Sequence, residues 1–185
     1  MSSGPIAEGM RRRRSHPAVT DDAPTKRELL PLIEAAAAVA DHGSLRPWRL
    51  IALRGDARVR LGEAIAEATG LEGNAAAKMA RKPLRAPLLL AVVVSPKPSH
   101  KVPEWEQEAV AAGVAHALSL VLDEAGWGVM WRTGLYTRSG PVHRMHGLAP
   151  DERLLGWLYV GGKSKKEKGG RRKPVHAKDY LETLR

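Results

Sequence analysis

Four short polar stretches of the sequence combine residue types that bind phosphorylated aromatic cofactors. Residues 13–15 (Arg-Arg-Ser) place two guanidiniums and a hydroxyl in a row, a set that can hold a phosphate through charge-assisted hydrogen bonds. Residues 171–173 (Arg-Arg-Lys) follow a glycine pair and can approach the same phosphate from another side. Residues 131–133 (Trp-Arg-Thr) and 41–44 (Asp-His-Gly-Ser) add further donors near aromatic side chains. Together these stretches predict a site for a planar, phosphate-bearing ligand.

Several other kinds of catalytic site are disfavoured. The sequence has no Cys, which excludes thiol nucleophiles, disulfides and thiolate metal sites. It contains no Gly-x-Ser-x-Gly, His-Glu-x-x-His or P-loop motif. His143 and His146 are three residues apart in a basic stretch, so surface histidines are a better interpretation than a metal site. His116 lies among alanines and is predicted to be a core or interface residue.

The charge of the chain leaves a second class of function open. The 185 residues carry a formal net charge of +10, and the pI is about 10.2. Much of the positive charge lies in residues 11–14 and 163–173, which is typical either of a nucleic-acid-binding surface or of solvated segments. Residues 1–10 are predicted to be disordered and residues 11–185 to form a single domain. Because no apolar run follows the N-terminal arginines, we expect a cytoplasmic protein.

The spacing of apolar residues predicts the elements that position the polar stretches. Thr25 and Glu28 form a capping box that begins a helix to about residue 40. The unbroken apolar run 88–94 predicts a central strand covered on both faces. A long alanine-rich helix is apolar nearly all round and is predicted to be buried, with Gly126 ending it. Further strands are predicted at residues 49–54 and 154–160, and a short strand is predicted to end at residue 132. Helices are predicted at residues 57–69 and 75–81 and after Pro141. The order predicts an α+β domain with a mixed sheet around the central helix.

Four sequence motifs occur in the order seen in the nitroreductase superfamily. Besides residues 13–15, they are residues 41–48 (Asp-His-Gly-Ser-Leu-Arg-Pro-Trp), 100–108 (His-Lys-Val-Pro-Glu-Trp-Glu-Gln-Glu) and 128–134 (Gly-Val-Met-Trp-Arg-Thr-Gly). The sequence resembles that superfamily from residue 11 to residue 161, and most of all its small bacterial NAD(P)H nitroreductases. The resemblance implies an α/β sandwich with a mainly antiparallel sheet, non-covalent FMN, and an obligate homodimer with FMN at the subunit interface.

The resemblance also implies which residues bind FMN. The phosphate and ribityl chain would be held near the N-terminus by Arg13, Arg14 and Ser15. The flavin would be contacted from the loop after the first helix by His42 and Ser44, and from the strand after the long helix by Trp131, Arg132 and Thr133. Arg172 resembles a phosphate-binding arginine of larger relatives. Ala38 stands where close relatives have an arginine, so we expect Arg171 or Arg172 to replace that charge.

The function that the resemblance implies is an FMN-dependent oxidoreductase. It would use NAD(P)H to reduce nitroaromatic, quinone or related acceptors by a ping-pong mechanism, without a membrane partner. FMN would carry the chemistry, so no catalytic acid or base is expected, and Arg132 would tune the flavin. A basic nucleic-acid-binding protein and a non-catalytic flavin-binding protein are the alternatives. No ribose-reading fingerprint distinguishes NADH from NADPH.

Overall fold

Four antiparallel strands form the sheet in the part of the chain that the structure describes. A computed structural model describes residues 4–164 and 173–184. The strands lie in the order β1-β2-β4-β3, and each of the three pairings between them is antiparallel. Their bounds are β1 (Trp48–Leu53), β2 (Leu88–Val94), β3 (Trp127–Arg132) and β4 (Arg153–Gly162). The predicted α+β class is therefore confirmed, and the described sheet is antiparallel throughout rather than mixed.

Helices cover both faces of the sheet. They are α1 (Pro5–Arg12), α2 (Lys26–Ala36), α3 (Asp56–Thr69), α4 (Gly73–Ala80), α5 (Glu104–Glu124) and α6 (Gly140–His146). Single 3-10 turns occur at His42–Ser44, Lys82–Arg85, Leu135–Arg138 and Ala177–Tyr180. None of the helices among the described residues is long and apolar enough to cross a membrane.

The central strand β2 is buried on both faces, as its apolar run predicts. Leu88, Leu90 and Val92 pack into one core with α2 and α5, while the alternate residues face a second core with α3 and α6. Successive side chains of a strand point to opposite faces, so only an unbroken apolar run can serve two cores at once. The two cores hold the helical layers in fixed positions relative to the sheet.

The long helix α5 is buried on only one side, which corrects the prediction of burial all round. Val114 and Leu118 are fully buried against the sheet. On the opposite side Trp105 is 70% exposed, and Ala109 and His116 are exposed as well. Apolar residues on every face of a helix predict that each face is covered. A single chain leaves one of these faces uncovered.

The N-terminal segment also differs from its prediction. Residues 1–10 were expected to be disordered, but Pro5–Arg12 form α1. Pro5 suits the first position of a helix, Glu8 lies in the first turn, and Arg11 and Arg12 lie in the last, so the charges complement the helix dipole. The predicted capping box is confirmed: Thr25 Oγ1 accepts a hydrogen bond from Glu28 N, and the carboxylate of Glu28 accepts one from Thr25 N.

An ion pair between a partly exposed arginine and a buried carboxylate ties β1 to the turn before β4. Arg49 Nε and Nη2 donate to the two carboxylate oxygens of Glu152 at 2.6 and 2.7 Å, and Ala149 N donates to the same carboxylate at 3.0 Å. Glu152 is 7% exposed. The hydrogen bonds from Arg49 lower the pKa of Glu152 from 4.5 to about 2. Because the folded-state pKa is depressed, the stabilisation is present above pH 4.5 and is lost as the pH falls towards 2.

We predict that Glu152→Gln lowers the free energy of unfolding at pH 7 by about 1.5–3 kcal/mol, because it removes a charge-assisted pair from a buried site. The deficit relative to wild type should shrink as the pH falls from 4.5 towards 2, because the carboxyl of the unfolded chain takes up a proton first and that of the folded protein only near pH 2. Urea unfolding at several pH values measures both effects. Glu67→Gln is the matched control, since Glu67 pairs with Arg144 on the exposed surface and should cost less than about 0.5 kcal/mol. Equal losses in the two variants would contradict the prediction.

Candidate cofactor site

A cavity of about 370 Å³ lies at the open edge of the sheet, beside the end of β3. Among the described residues that line it, four side chains are aromatic, three are cationic and none is acidic. We call it the β3-edge cavity; its lining residues are Lys82, Arg85, Met130, Trp131, Arg132, Thr133, Tyr136, Trp157 and Tyr159. Flat apolar walls with several cations suit a planar ligand that carries or gains negative charge.

The predicted residues 131–133 lie together in this cavity. The guanidinium carbon of Arg132 is 5.2 Å from the ring centroid of Tyr159, a cation–π distance. Within the described part of the chain, the buried Nε of Arg132 and the buried Nε1 of Trp131 have no hydrogen-bond partner. Such donors are rare in folded proteins and need an acceptor. An acceptor-rich ligand at this edge would supply one.

Gly156 of β4 permits the close approach of the two strands at this point. Its φ is +132°, and a Cβ there would lie 2.4 Å from the carbonyl oxygen of Arg132. Any side chain would push β3 and its terminal Arg132 away from β4. The glycine therefore contributes to the shape of the cavity without contacting a ligand.

Lys82 and Arg85 are cavity residues that the sequence reasoning missed. Both come from the 3-10 turn before β2, where Pro83 is buried. In the sequence, the feature that could have identified them is a pair of cations three residues apart, just before a fully buried strand. Their approach to Arg132 arises from the tertiary fold alone. Burial raises the pKa of Tyr159 to about 12, so its hydroxyl remains neutral beside these cations.

The N-terminal arginines occupy a different environment. Arg14 Nη1 donates to the carbonyl oxygens of Arg11, Arg12 and Arg13 at 2.5, 3.0 and 3.0 Å. Arg14 thus satisfies the free carbonyls at the end of α1, a common role for a basic residue there. Arg13 lines a second cavity, of about 450 Å³, together with His116 and Leu120 of α5. Ser15 is exposed.

The segment after residue 15 is fixed to the sheet next to β3 and β4. His16 N donates to Val129 O at 3.0 Å, and Thr20 N donates to Gly162 O at 2.9 Å. A Cβ at Gly161 would lie 2.6 Å from Val19, so a glycine is needed for this contact. Lys163, which forms an isolated antiparallel bridge with Val19, is itself held by Asp123, whose Oδ1 lies 3.1 Å from Lys163 Nζ. These contacts hold the polar residues 13–15 near the β3 edge.

His42 and Ser44 lie in a strained loop before β1. Positive φ angles occur at Gly43, Ser44 and Arg46, a cluster that costs free energy and is common at functional sites. The carboxylate of Asp41 stabilises the loop by accepting from Leu45 N at 3.2 Å and from Arg46 N at 2.8 Å. His42 Nδ1 is 3.1 Å from Glu106 of α5. His42 lines a third cavity with Trp105 and Glu106.

One chain therefore brings together only part of the predicted site. Residues 131–133 share the β3-edge cavity, whereas Arg13 and His42 line two other cavities. The first two cavities are neighbours, because the ring of His116 lies edge-on to Trp131 with centroids 5.0 Å apart. Arg171 and Arg172 lie outside the described residues, so their predicted phosphate contact stays a prediction. Ala38 is exposed.

Comparison with known proteins defines the class of this chain. The family model described as "Nitroreductase family" matches residues 10–162. A curated relative, "Putative NAD(P)H nitroreductase YdjA" of Escherichia coli K12, is 33% identical over 152 residues, which cover 80% of this chain and 83% of the relative. The chain belongs to the nitroreductase family.

Other relatives extend the similarity over nearly the whole chain. The "Putative NAD(P)H nitroreductase" of Haemophilus influenzae is 27% identical over 178 residues, covering 93% of this chain and 95% of the relative. A nitroreductase-like protein of Bacillus cereus has a crystal structure that superposes with a TM-score of 0.82 at 23% identity, covering 100% and 98% of the two chains. A nitroreductase of Bacteroides fragilis, solved with bound FMN, has a TM-score of 0.77 at 17% identity, covering 99% and 100%. These two structures confirm the fold.

Proposed function

We propose that this protein is an FMN-dependent oxidoreductase that is reduced by NAD(P)H and then reduces a nitroaromatic, quinone or related acceptor in a ping-pong mechanism. The β3-edge cavity is the observation that carries the proposal. It combines aromatic walls, three cations and two unpaired buried donors, and it occurs in a member of the nitroreductase family. The proposal also includes that residues 11–185 form one FMN-binding domain.

The residues of the cavity fit the ring system of FMN. Its pyrimidine edge is rich in acceptors, which matches the free Nε of Arg132 and the free indole Nε1 of Trp131. When bound, FMN supplies the redox chemistry by taking hydride from NAD(P)H and passing electrons to the acceptor. Arg132 and Lys82 stabilise the negative charge that the ring gains on reduction, because charge in a poorly hydrated cavity interacts strongly with fixed cations. Arg85, on the same 3-10 turn as Lys82, adds a further positive charge.

The phosphate is assigned to the N-terminal basic residues. Arg13 and Ser15 are available for it, and Arg172 is proposed as a further contact. Arg14 Nη1 donates to carbonyl groups at the end of α1. Arg14 is therefore proposed to contribute positive charge to the phosphate site rather than a bidentate pair of hydrogen bonds. His42 and Ser44 are proposed to lie along the flavin, with His42 leaving its contact to Glu106.

A second copy of the chain is proposed to complete the site. Arg13, His42 and residues 131–133 line three separate cavities in one chain. Two of these cavities border the exposed side of α5, which also carries Trp105 and Ala109. Pairing of this side with a second chain would cover an apolar surface, as obligate homodimers do, and would place FMN at the interface.

The visible absorption spectrum of the purified protein, before and after addition of NADPH or NADH without oxygen, tests the proposal directly. We expect the two bands of an oxidised flavin, and we expect them to bleach. A yellow protein whose bands persist would be a flavin-binding protein without turnover. A colourless protein that takes up no added FMN, but binds DNA or RNA with a steep salt dependence, would instead support the nucleic-acid alternative.

We predict that Arg132→Gln lowers the reduction potential of bound FMN by roughly 30 mV, which is about 1.4 kcal/mol for a two-electron couple. The reason is the loss of a cation that favours the charge gained on reduction. Potentiometric titration against a reference dye measures the shift. Arg138→Gln removes the same charge from the following turn, where the guanidinium pairs with Glu108, and should leave the potential nearly unchanged. An unaltered potential in Arg132→Gln would remove Arg132 from this role.

We predict that Ala109→Glu converts a dimeric wild type into a monomer with much less bound FMN, because it places a charge on the exposed side of α5. Ala109 is exposed in the single chain, so the substitution should leave the fold of the chain intact. Light scattering with absorption detection measures both properties. Ala75→Glu, on the exposed surface of α4, is the control. A flavin-loaded monomeric wild type, or a flavin-loaded dimeric Ala109→Glu, would contradict the proposed interface.

A further inference from the structure

We infer that His146 is a positioning residue of the β3-edge cavity, which acts through the hydrogen bond to Trp157 and makes FMN binding sensitive to acid. The inference rests on the proposed function, since it assigns FMN to this cavity. It concerns a residue that lies outside the cavity and contacts no proposed ligand. Its basis is a chain of three buried groups that ends at the cavity wall.

The hydrogen bonds of His146 determine its protonation state. Its Nδ1 is 2.8 Å from the carbonyl oxygen of Val142, and its Nε2 is 3.0 Å from the indole Nε1 of Trp157. A carbonyl oxygen only accepts, so Nδ1 must carry the hydrogen. An indole N–H only donates, so Nε2 must accept. Both bonds are formed only by the neutral imidazole in one tautomer.

Trp157 carries the influence of His146 to the cavity. Its side chain is 1% exposed and lines the β3-edge cavity. Its ring stacks on Tyr136, another cavity residue, with centroids 6.2 Å apart and an angle of 29° between the planes. The indole N–H of Trp157 donates its hydrogen bond to His146. This bond therefore holds the polar end of one aromatic wall of the cavity, on which a second aromatic wall is stacked.

Protonation of His146 would break the arrangement. The imidazolium has a hydrogen on both nitrogens, so Nε2–H would point at the N–H of Trp157, and one ring would have to turn. Burial lowers the pKa of His146 below 6.5, and the nearby charges of His143 and Arg49 act in the same direction, against the bond to Val142. Arg49 is itself paired with Glu152. The neutral arrangement is therefore present above pH 6.5 and is lost as the pH falls through the lowered pKa of His146.

His146→Gln tests the inference. The amide oxygen of Gln can accept from Trp157 but cannot be protonated in this range. We expect wild type and variant to bind FMN similarly at pH 8. Between pH 8 and pH 5 the dissociation constant of the wild type should rise about fivefold more than that of the variant. Flavin fluorescence quenching measures binding, and circular dichroism verifies that both proteins stay folded. Titration of the FMN phosphate and of the other histidines is common to both proteins and cancels in the ratio.

Trp157→Phe provides an independent variant if His146→Gln fails to fold. It removes the N–H that opposes a protonated His146, so the extra acid dependence of the wild type should again disappear, whatever the affinity at pH 8. Equal pH slopes in the wild type and either folded variant would overturn the inference while leaving the proposed function intact. Absence of FMN binding to the wild type at pH 8 would overturn the proposed function, and the inference with it.

Discussion

The two-sided burial of β2 is the constraint on which the other elements depend. Every residue of Leu88–Val94 is buried, with alternate side chains in two different cores. Helices must therefore cover both faces of the sheet at this strand. β1 and β4 occupy the two sides of β2, and β3 pairs with β4 and lies at the edge of the described sheet. An edge strand has unpaired backbone groups and open space beside it. In this protein His16 N donates to Val129 O on that edge, and the β3-edge cavity occupies the open space beside the end of the strand.

Charge distribution separates this cavity from the rest of the surface. Elsewhere several arginines are paired with carboxylates, as Arg49 is with Glu152 and Arg144 with Glu67. The cations of the cavity have no acidic neighbour in its lining. Arg132 instead lies over the ring of Tyr159, which attracts the cation without neutralising it. The positive charge of the cavity is therefore available to attract an anionic ligand. This property of the cavity does not depend on which acceptor substrate the enzyme uses.

The sequence predicted those features that depend on local pattern. The unbroken apolar run identified β2, the capping box identified the start of α2, and residues 131–133 were placed correctly at the end of a strand. Lys82 and Arg85 were missed, because only the tertiary fold brings the 3-10 turn before β2 to the end of β3. The exposed side of α5 agrees with a helix that is apolar on more faces than one chain easily covers. An apolar helix shows that each face is covered, but not whether the same chain covers it.

The exposed side of α5 connects assembly with ligand binding. His116 projects from this side, lines the cavity of Arg13, and contacts Trp131 at the wall of the β3-edge cavity. A second chain packed against α5 would bury His116 and close the second cavity, and would thereby restrict Trp131 as well. The unpaired indole Nε1 of Trp131 would then be held in one orientation towards the ligand. On this view the dimer interface and the cofactor site share one set of side chains, so that each should form most completely in the presence of the other.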